Sequence, residues 1–130
     1  MAKLTESQSR MFSDPYYGVV STVRPDGSPQ QTVVWVDYDG ENVVFNTAEG
    51  RAKPRYIRQN PSVGLTVVDP NDPFRWIAVS GPAEMTEEGA AEHINQLSHK
   101  YNGKDYNLPP GQQRLIVRVK PERVTAYGLD

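Results

Sequence analysis

The 130-residue chain has 14 Lys and Arg against 16 Asp and Glu, a formal net charge of −2. No global positive field therefore draws nucleic acid to it, and any anion site must be local. It has no cysteine, which excludes disulfides, thiolate metal sites and a cysteine nucleophile; the polar start, Met1 to Glu6, and the lack of any long apolar run lead to the expectation of a cytoplasmic protein that enters no membrane. A chain of this size buries roughly two-thirds of its unfolded surface without metals or disulfides, so residues 1–130 read as a single domain.

Apolar residues fall in strand-like runs rich in Val, Thr, Tyr and Trp, separated by turn dipeptides, with no internal repeat. Tyr17 to Arg24 reads as the first strand and Gln30 to Tyr38 as its partner. Between them, Pro25-Asp26-Gly27 supplies a preset φ followed by a residue that tolerates positive φ. Asp39-Gly40 makes the next turn and Asn42 to Thr47 a third strand, so the first half is expected to be a three-stranded meander. Pro54 to Gln59 reads as a short helix with proline at its first position and Pro61 barring continuation. Ser62 to Asp69 resumes extended backbone, Pro70 to Pro73 is a loop, and Arg75 to Met85 is a fifth strand that Gly81 and Pro82 mark as bulged or an edge. Thr86 is placed to cap a helix opened by Glu87 and Glu88, with Ala90, Ile94, Leu97 and Tyr101 near helical spacing. After a loop from Asn102 to Gly111, Gln113 to Lys120 turns Leu115, Val117 and Val119 inward, and Val124 to Tyr127 closes the chain. The expected protein is mainly β, six or seven antiparallel strands with two helices. Closure into a barrel, which removes exposed edges, is favoured over a sandwich.

Arg51, Lys53, Arg55 and Arg58 put four cations in eight residues with no acid among them, just before and within the short helix. Cations there oppose the helix dipole at a cost of up to about 1 kcal/mol, and a bound phosphate converts that cost into attraction. Taken alone, the run fits either an anion site or a solvated turn. Trp35, Tyr38, Trp76 and Tyr127 suit the walls around a planar ring or an ordinary core. Gln30, Gln31 and Thr32, with Asn46 and Thr47 on the neighbouring strand, offer hydrogen bonds to a heterocycle edge or simply occupy a barrel rim. His93 and His99 are six apart, on different helix faces, so no metal site is expected. Carboxylates fit caps and turns, and no P-loop, Gly-x-Gly-x-x-Gly or nucleophile elbow occurs. If the chain is an enzyme, a cofactor must carry its reaction.

Gly27-Ser28-Pro29, Thr32-Val33-Val34-Trp35, Phe45-Asn46-Thr47-Ala48-Glu49-Gly50-Arg51-Ala52-Lys53 and Arg58-Gln59-Asn60-Pro61 form a pattern that resembles the pyridoxamine 5′-phosphate oxidase-like split β-barrels (the FMN-binding split-barrel type), in the branch that uses the deazaflavin coenzyme F420. The similarity spans nearly the whole chain. It implies a homodimer with cofactor sites at the subunit interface and a small-molecule acceptor, while the acidic charge balance argues against a nucleic-acid partner. By the same resemblance Arg51, Ala52 and Lys53 hold phosphate with Arg58 as helper, while Gln31, Thr32, Val33, Val34, Asn46 and Thr47 line the ring. Trp76 and Tyr127 would reach the ring from the partner subunit. Relatives often carry proline where this chain has Val33.

The implied activity is hydride transfer between reduced F420 and a small electron-poor acceptor such as an activated alkene, with solvent or Tyr127 supplying the proton. Such a transfer mainly needs orientation and water exclusion, which agrees with the scarcity of acids and bases. A flavin mononucleotide protein of the same fold and a non-catalytic cofactor carrier are the alternatives. F420 differs from the flavin in an oligoglutamate tail, for which Arg55, Lys100 and Lys104 are candidate cations.

Overall fold

The structure, a computed structural model, describes residues 3–130. It opens with a helix that the apolar pattern did not reveal, α1 (Glu6–Ser13). Its signal is local: the Thr5 hydroxyl accepts from the Gln8 N–H and the Gln8 side chain accepts from the Thr5 N–H, a capping box three residues before the buried Met11 and Phe12. Strands β1 (Gly18–Val23), β2 (Pro29–Val34), β3 (Val36–Tyr38) and β4 (Val43–Ala48) follow, then α2 (Ala52–Gln59), β5 (Ser62–Asp69), β6 (Asp72–Thr86), α3 (Ala90–Asn102), β7 (Arg114–Val119) and β8 (Arg123–Tyr127). Three helices and eight strands thus replace the two helices and six or seven strands expected, within the expected mainly β class.

All pairings are antiparallel, in the order β2-β1-β5-β6-β7-β4-β3 with β8 added on β6. The expected meander of the first half is instead two hairpins. β2 pairs with β1 and β3 with β4, at opposite ends of the path, and Trp35 alone joins them. The break has a cause in α3: the Tyr101 hydroxyl accepts from the Val36 N–H, and the Lys100 ammonium donates to the Val36 carbonyl. Side chains of the helix thereby occupy backbone groups that a continuous strand would have offered to a ladder. Because consecutive strands lie at the two ends of the pairing order, the sheet curls back on itself as a split barrel.

Alternate strand residues point inward and, with Phe12 of α1, make the main core, in which Phe12, Phe45, Leu65, Val67, Ile77 and Val117 are fully buried; Val44, Ala90 and Ile116 form a small second cluster under α3. β6 is the longest strand because it changes partner midway: Ser62↔Pro82 and Val63↔Gly81 are its last pairs with β5, and Ala83↔Val119 is its first with β7. The bulge or edge expected at Gly81-Pro82 is this crossing. β6 also runs through Thr86, which pairs with Ile116, so Thr86 does not cap α3; its hydroxyl accepts from Arg118 and the helix begins at Ala90 after Gly89. The ladder offers that segment more backbone hydrogen bonds than a helical first turn would. Pro54 is likewise the third residue of α2, not the first. No described helix is long and apolar enough to cross a membrane.

Candidate functional site

β4 ends at Ala48, and the turn Glu49-Gly50 delivers the chain to α2 with Arg51 as the extended N-cap residue and Lys53 in the first turn. Arg51 makes no side-chain cap, and no acid stands in that first turn, so the positive end of the helix is left with two cations beside it. Lys53 is half-buried, and burial first, then the adjacent Arg51 charge, holds its ammonium pKa below the usual lysine value.

Both side chains open on a cleft of about 250 Å³ lined also by Val33, Val34 and Trp35, by Ile94 and Leu97 of α3, and by Tyr17, Asn46, Tyr106 and Arg114. Trp35 is stacked on Tyr101 at 5.5 Å and 8° between planes, which fixes the indole as one wall. Tyr101 is itself immobilised: its hydroxyl donates to the Tyr16 carbonyl, and burial pushes its pKa up to about 12.

Arg114, at the start of β7, is the residue the sequence reading overlooked. It is 5% exposed, and no carboxylate pairs with it, with Arg51 or with Lys53 among the described residues. A buried charge without a counter-charge is costly unless a ligand supplies one. Its only sequence signal is a cation at the head of an apolar run, Leu115 to Val117.

Val33, Val34, Asn46, Arg51 and Lys53, all expected at the ring or phosphate, meet in this cleft, and the others lie elsewhere. Asn46 lines it, but its amide already bonds Ala90, His93 and Arg114, so both its N–H groups are engaged and only a lone pair of Oδ1 is left for a ligand. Gln31 faces a separate hollow on the outer side of the sheet, beside Val19, Ser21 and Arg123. Thr32 and Thr47 bury hydroxyl oxygens that have no hydrogen-bond partner among the described residues. Trp76 and Tyr127 are cross-strand neighbours on that outer face, and neither lines the cleft of its own chain. Arg58 pairs with Glu49 through two hydrogen bonds of 2.9 and 2.5 Å, closing the turn onto the last turn of α2, and does not line the cleft. Of the cations considered for a cofactor tail, Lys100 is drawn inward onto the Phe12 and Val36 carbonyls, while Arg55 shares a surface hollow with Arg51. Because the Arg58–Glu49 pair is exposed, Arg58→Ala is expected to change stability by less than about 1 kcal/mol in thermal unfolding and to leave cofactor titrations almost unchanged.

A larger hollow, about 700 Å³, lies beside α1, but Glu6, Asp14 and Asp130 mix there with Arg10 and Arg75, so no unbalanced charge singles it out.

The pyridoxamine 5′-phosphate oxidase family matches residues 4–128 of the chain. The chain belongs to that family. It is 23% identical to the F420H(2)-dependent biliverdin reductase of Mycobacterium tuberculosis over 123 residues, 94% of this chain and 87% of that one. It is 38% identical over 129 residues to the pyridoxine/pyridoxamine 5′-phosphate oxidase of Aeromonas hydrophila, covering 97% of this chain and 56% of that enzyme. The chain therefore spans about half the length of the family's oxidases that it matches. A solved F420 reductase superposes with a TM-score of 0.83 at 32% identity, over 94% of this chain and 98% of that one.

Proposed function

We propose that the chain is an F420-dependent oxidoreductase, transferring a hydride between reduced F420 and a small electron-poor organic acceptor. The observation that carries this is the pairing, in one cleft, of cations that have no acid partner with an apolar and aromatic wall. Arg51 and Lys53 stand at an uncapped helix N-terminus, and Val33, Val34 and Trp35 offer flat surface beside them. This donor set fits a phosphate joined to a planar heterocycle. F420 is chosen over flavin mononucleotide because two relatives matched over most of their length, one of them at 32% identity, are named for F420, whereas the curated oxidases are matched over about half of theirs.

When bound, such a cofactor supplies a hydride equivalent to an electron-poor carbon. The chain's own residues bind and orient: Arg51 and Lys53 hold the phosphate, Val33 and Val34 pack one face of the ring, and the Trp35–Tyr101 stack keeps the wall in place and sheds water. No acid–base pair is needed for that role.

A homodimer belongs to this reading. The cleft's volume, about 250 Å³, is below the roughly 300–1,000 Å³ usual for drug-sized ligands, so one chain does not enclose the whole cofactor and leaves part of it open to a second subunit. The outer face formed by β2, β1, β5, β6 and β8 carries the exposed Val19, Val33, Val68 and Tyr127. We assign this face to a second copy. Since Trp76 and Tyr127 line no part of their own chain's cleft, any contact they make with the cofactor comes across that interface.

Fluorescence polarisation of F420 and of flavin mononucleotide, each titrated with the protein, tests the cofactor. Tighter binding of F420 is expected, and tighter binding of the flavin overturns the choice. Consumption of reduced F420 with an activated alkene separates an enzyme from a carrier.

A further inference from the structure

We propose that Arg114 is an oxyanion ligand of the cleft, held in its binding orientation by a relay through Asn46 to His93, and that protonating His93 releases it. This inference rests on the reading of the cleft as a phosphate site and adds a ligand and a control to it.

The hydrogen bonds assign each group its role. Arg114 Nε donates to Asn46 Oδ1 at 2.7 Å, and Nη1 donates to Gln112 Oε1 at 3.0 Å with the Tyr106 hydroxyl at 3.4 Å. Tyr106 also lies under the guanidinium, 5.3 Å from its carbon to the ring centroid. Nη2 makes no hydrogen bond among the described residues, and it is not one of the sealed-off polar atoms. Arg114 lines the cleft, so this unengaged nitrogen is the one available to a ligand there. Arginine suits a phosphate or carboxylate oxygen in such a position.

Asn46 can face Arg114 in only one sense. Arg114 is purely a donor and the Ala90 carbonyl purely an acceptor, so Oδ1 must face the arginine and Nδ2 must donate to Ala90 and to His93 Nδ1, both at 3.0 Å. His93 Nδ1 therefore accepts, and its proton sits on Nε2, which is buried without a partner. A proton added at Nδ1 would meet the Asn46 N–H head on. If the amide turned to answer it, Nδ2 would face Arg114 Nε, donor against donor.

Burial holds His93 below the usual imidazole pKa; Asp37 and Asp39 oppose that shift, and Arg118 and Arg114 reinforce it. The imidazole is thus neutral at pH 7 and the relay intact. Protonation sets in below the usual imidazole pKa of about 6.5, so affinity is full at neutral pH and falls on acidification. Simple electrostatics predicts the reverse, because a cationic His93 near Arg114 would attract an anion more strongly. The sign of the pH dependence therefore separates a relay from a mere charge.

The test has two arms, both on the full chain, with folding of each variant checked by thermal unfolding. In the first, pyrophosphate at pH 8 is titrated against the melting temperature of wild type, Arg114→Gln and Arg114→Lys. Wild type is expected to be stabilised, Arg114→Gln to lose most of that shift, and Arg114→Lys to keep part of it. No shift in wild type, or an equal shift in Arg114→Gln, overturns Arg114 as the ligand. In the second, F420 affinity is followed from pH 5 to 8. Arg114→Gln is expected to bind about 10- to 100-fold more weakly at neutral pH. His93→Asn, whose amide oxygen can replace Nδ1 without titrating, is expected to remove the acid decline seen in wild type. His93→Leu, with no acceptor, is expected to show the weak acid-limb affinity at every pH. An unchanged acid limb in His93→Asn, or wild-type affinity in His93→Leu, overturns the relay. If pyrophosphate stabilises through Arg114 but F420 does not bind, the cofactor assignment fails and the oxyanion ligand stands.

Discussion

Replacing Arg51 and Lys53 together by alanine is expected to weaken cofactor binding by at least about 3 kcal/mol, taking roughly 1.5–3 kcal/mol for each charge-assisted hydrogen bond. The same double variant is expected to be as stable as wild type without cofactor, or slightly more stable. The opposite signs follow from the site. Both cations sit where the α2 dipole is positive, and relieving that opposition is worth about 0.3–1 kcal/mol. The Lys53 ammonium pKa is lowered on folding, by burial first and by Arg51 next. Its charge therefore penalises the folded state in full below that lowered pKa, and the penalty fades as pH rises from there to the ordinary lysine value, above which it is gone. At pH 7 the penalty is present, and removing the amine removes it. Fluorescence titration and thermal unfolding of one preparation check both halves. A solvated turn would show little change in either, and lost stability with unchanged affinity would show the two residues to be structural.

Gly81→Ala is expected to destabilise the protein by about 3 kcal/mol or more, enough to lower the melting temperature by roughly 10 °C. Backbone freedom is not the reason. A Cβ at Gly81 would lie 1.8 Å from the Lys120 carbonyl oxygen, 3.0 Å from its carbon and 3.2 Å from the Glu122 nitrogen, and backbone atoms cannot rotate away as a side chain can. The segments are held together on either side, Lys120 N–H donating to the Pro82 carbonyl at 3.0 Å and Glu122 N–H to the Ser80 carbonyl at 3.1 Å. Making room means breaking that clasp at the point where β6 passes from β5 to β7. Gly64→Ala, on the adjacent strand, is the control: its Cβ would come no nearer than 3.7 Å to any heavy atom, so its melting temperature is expected to stay within a few degrees of wild type. Equal losses in both variants would show that glycine in these strands matters for some reason other than space.

Gly81 also marks how far the pattern of residues could be followed. A Gly-Pro pair within an apolar strand announces an irregularity, a bulge or an edge. That the irregularity is a change of partner depends on β7, whose pairing residue Val119 is more than thirty positions away. Trp35 is the opposite case, because nothing between Gln30 and Tyr38 announces a break. The strand is interrupted by Tyr101 and Lys100, which reach it from α3. α1 was legible in principle through Thr5 and Gln8, but eight residues with two buried apolar side chains make a faint periodic signal.

By itself the sequence determined the β-rich class, the turns at Gly27 and Gly40, the alternation that builds the core, and the basic segment after the third strand of its pattern. These are local properties, set by φ preference, side-chain period and charge within a few residues. Tertiary structure alone decided which cations remain without an acid. Arg58 is neutralised by Glu49, Lys100 is taken inward by two carbonyls, and Arg114 comes to the cleft through Asn46, 68 residues away along the chain. The physical reason is that a charge's availability depends on its neighbours in space and on how far burial strips it of water, and neither is a property of the segment that carries it.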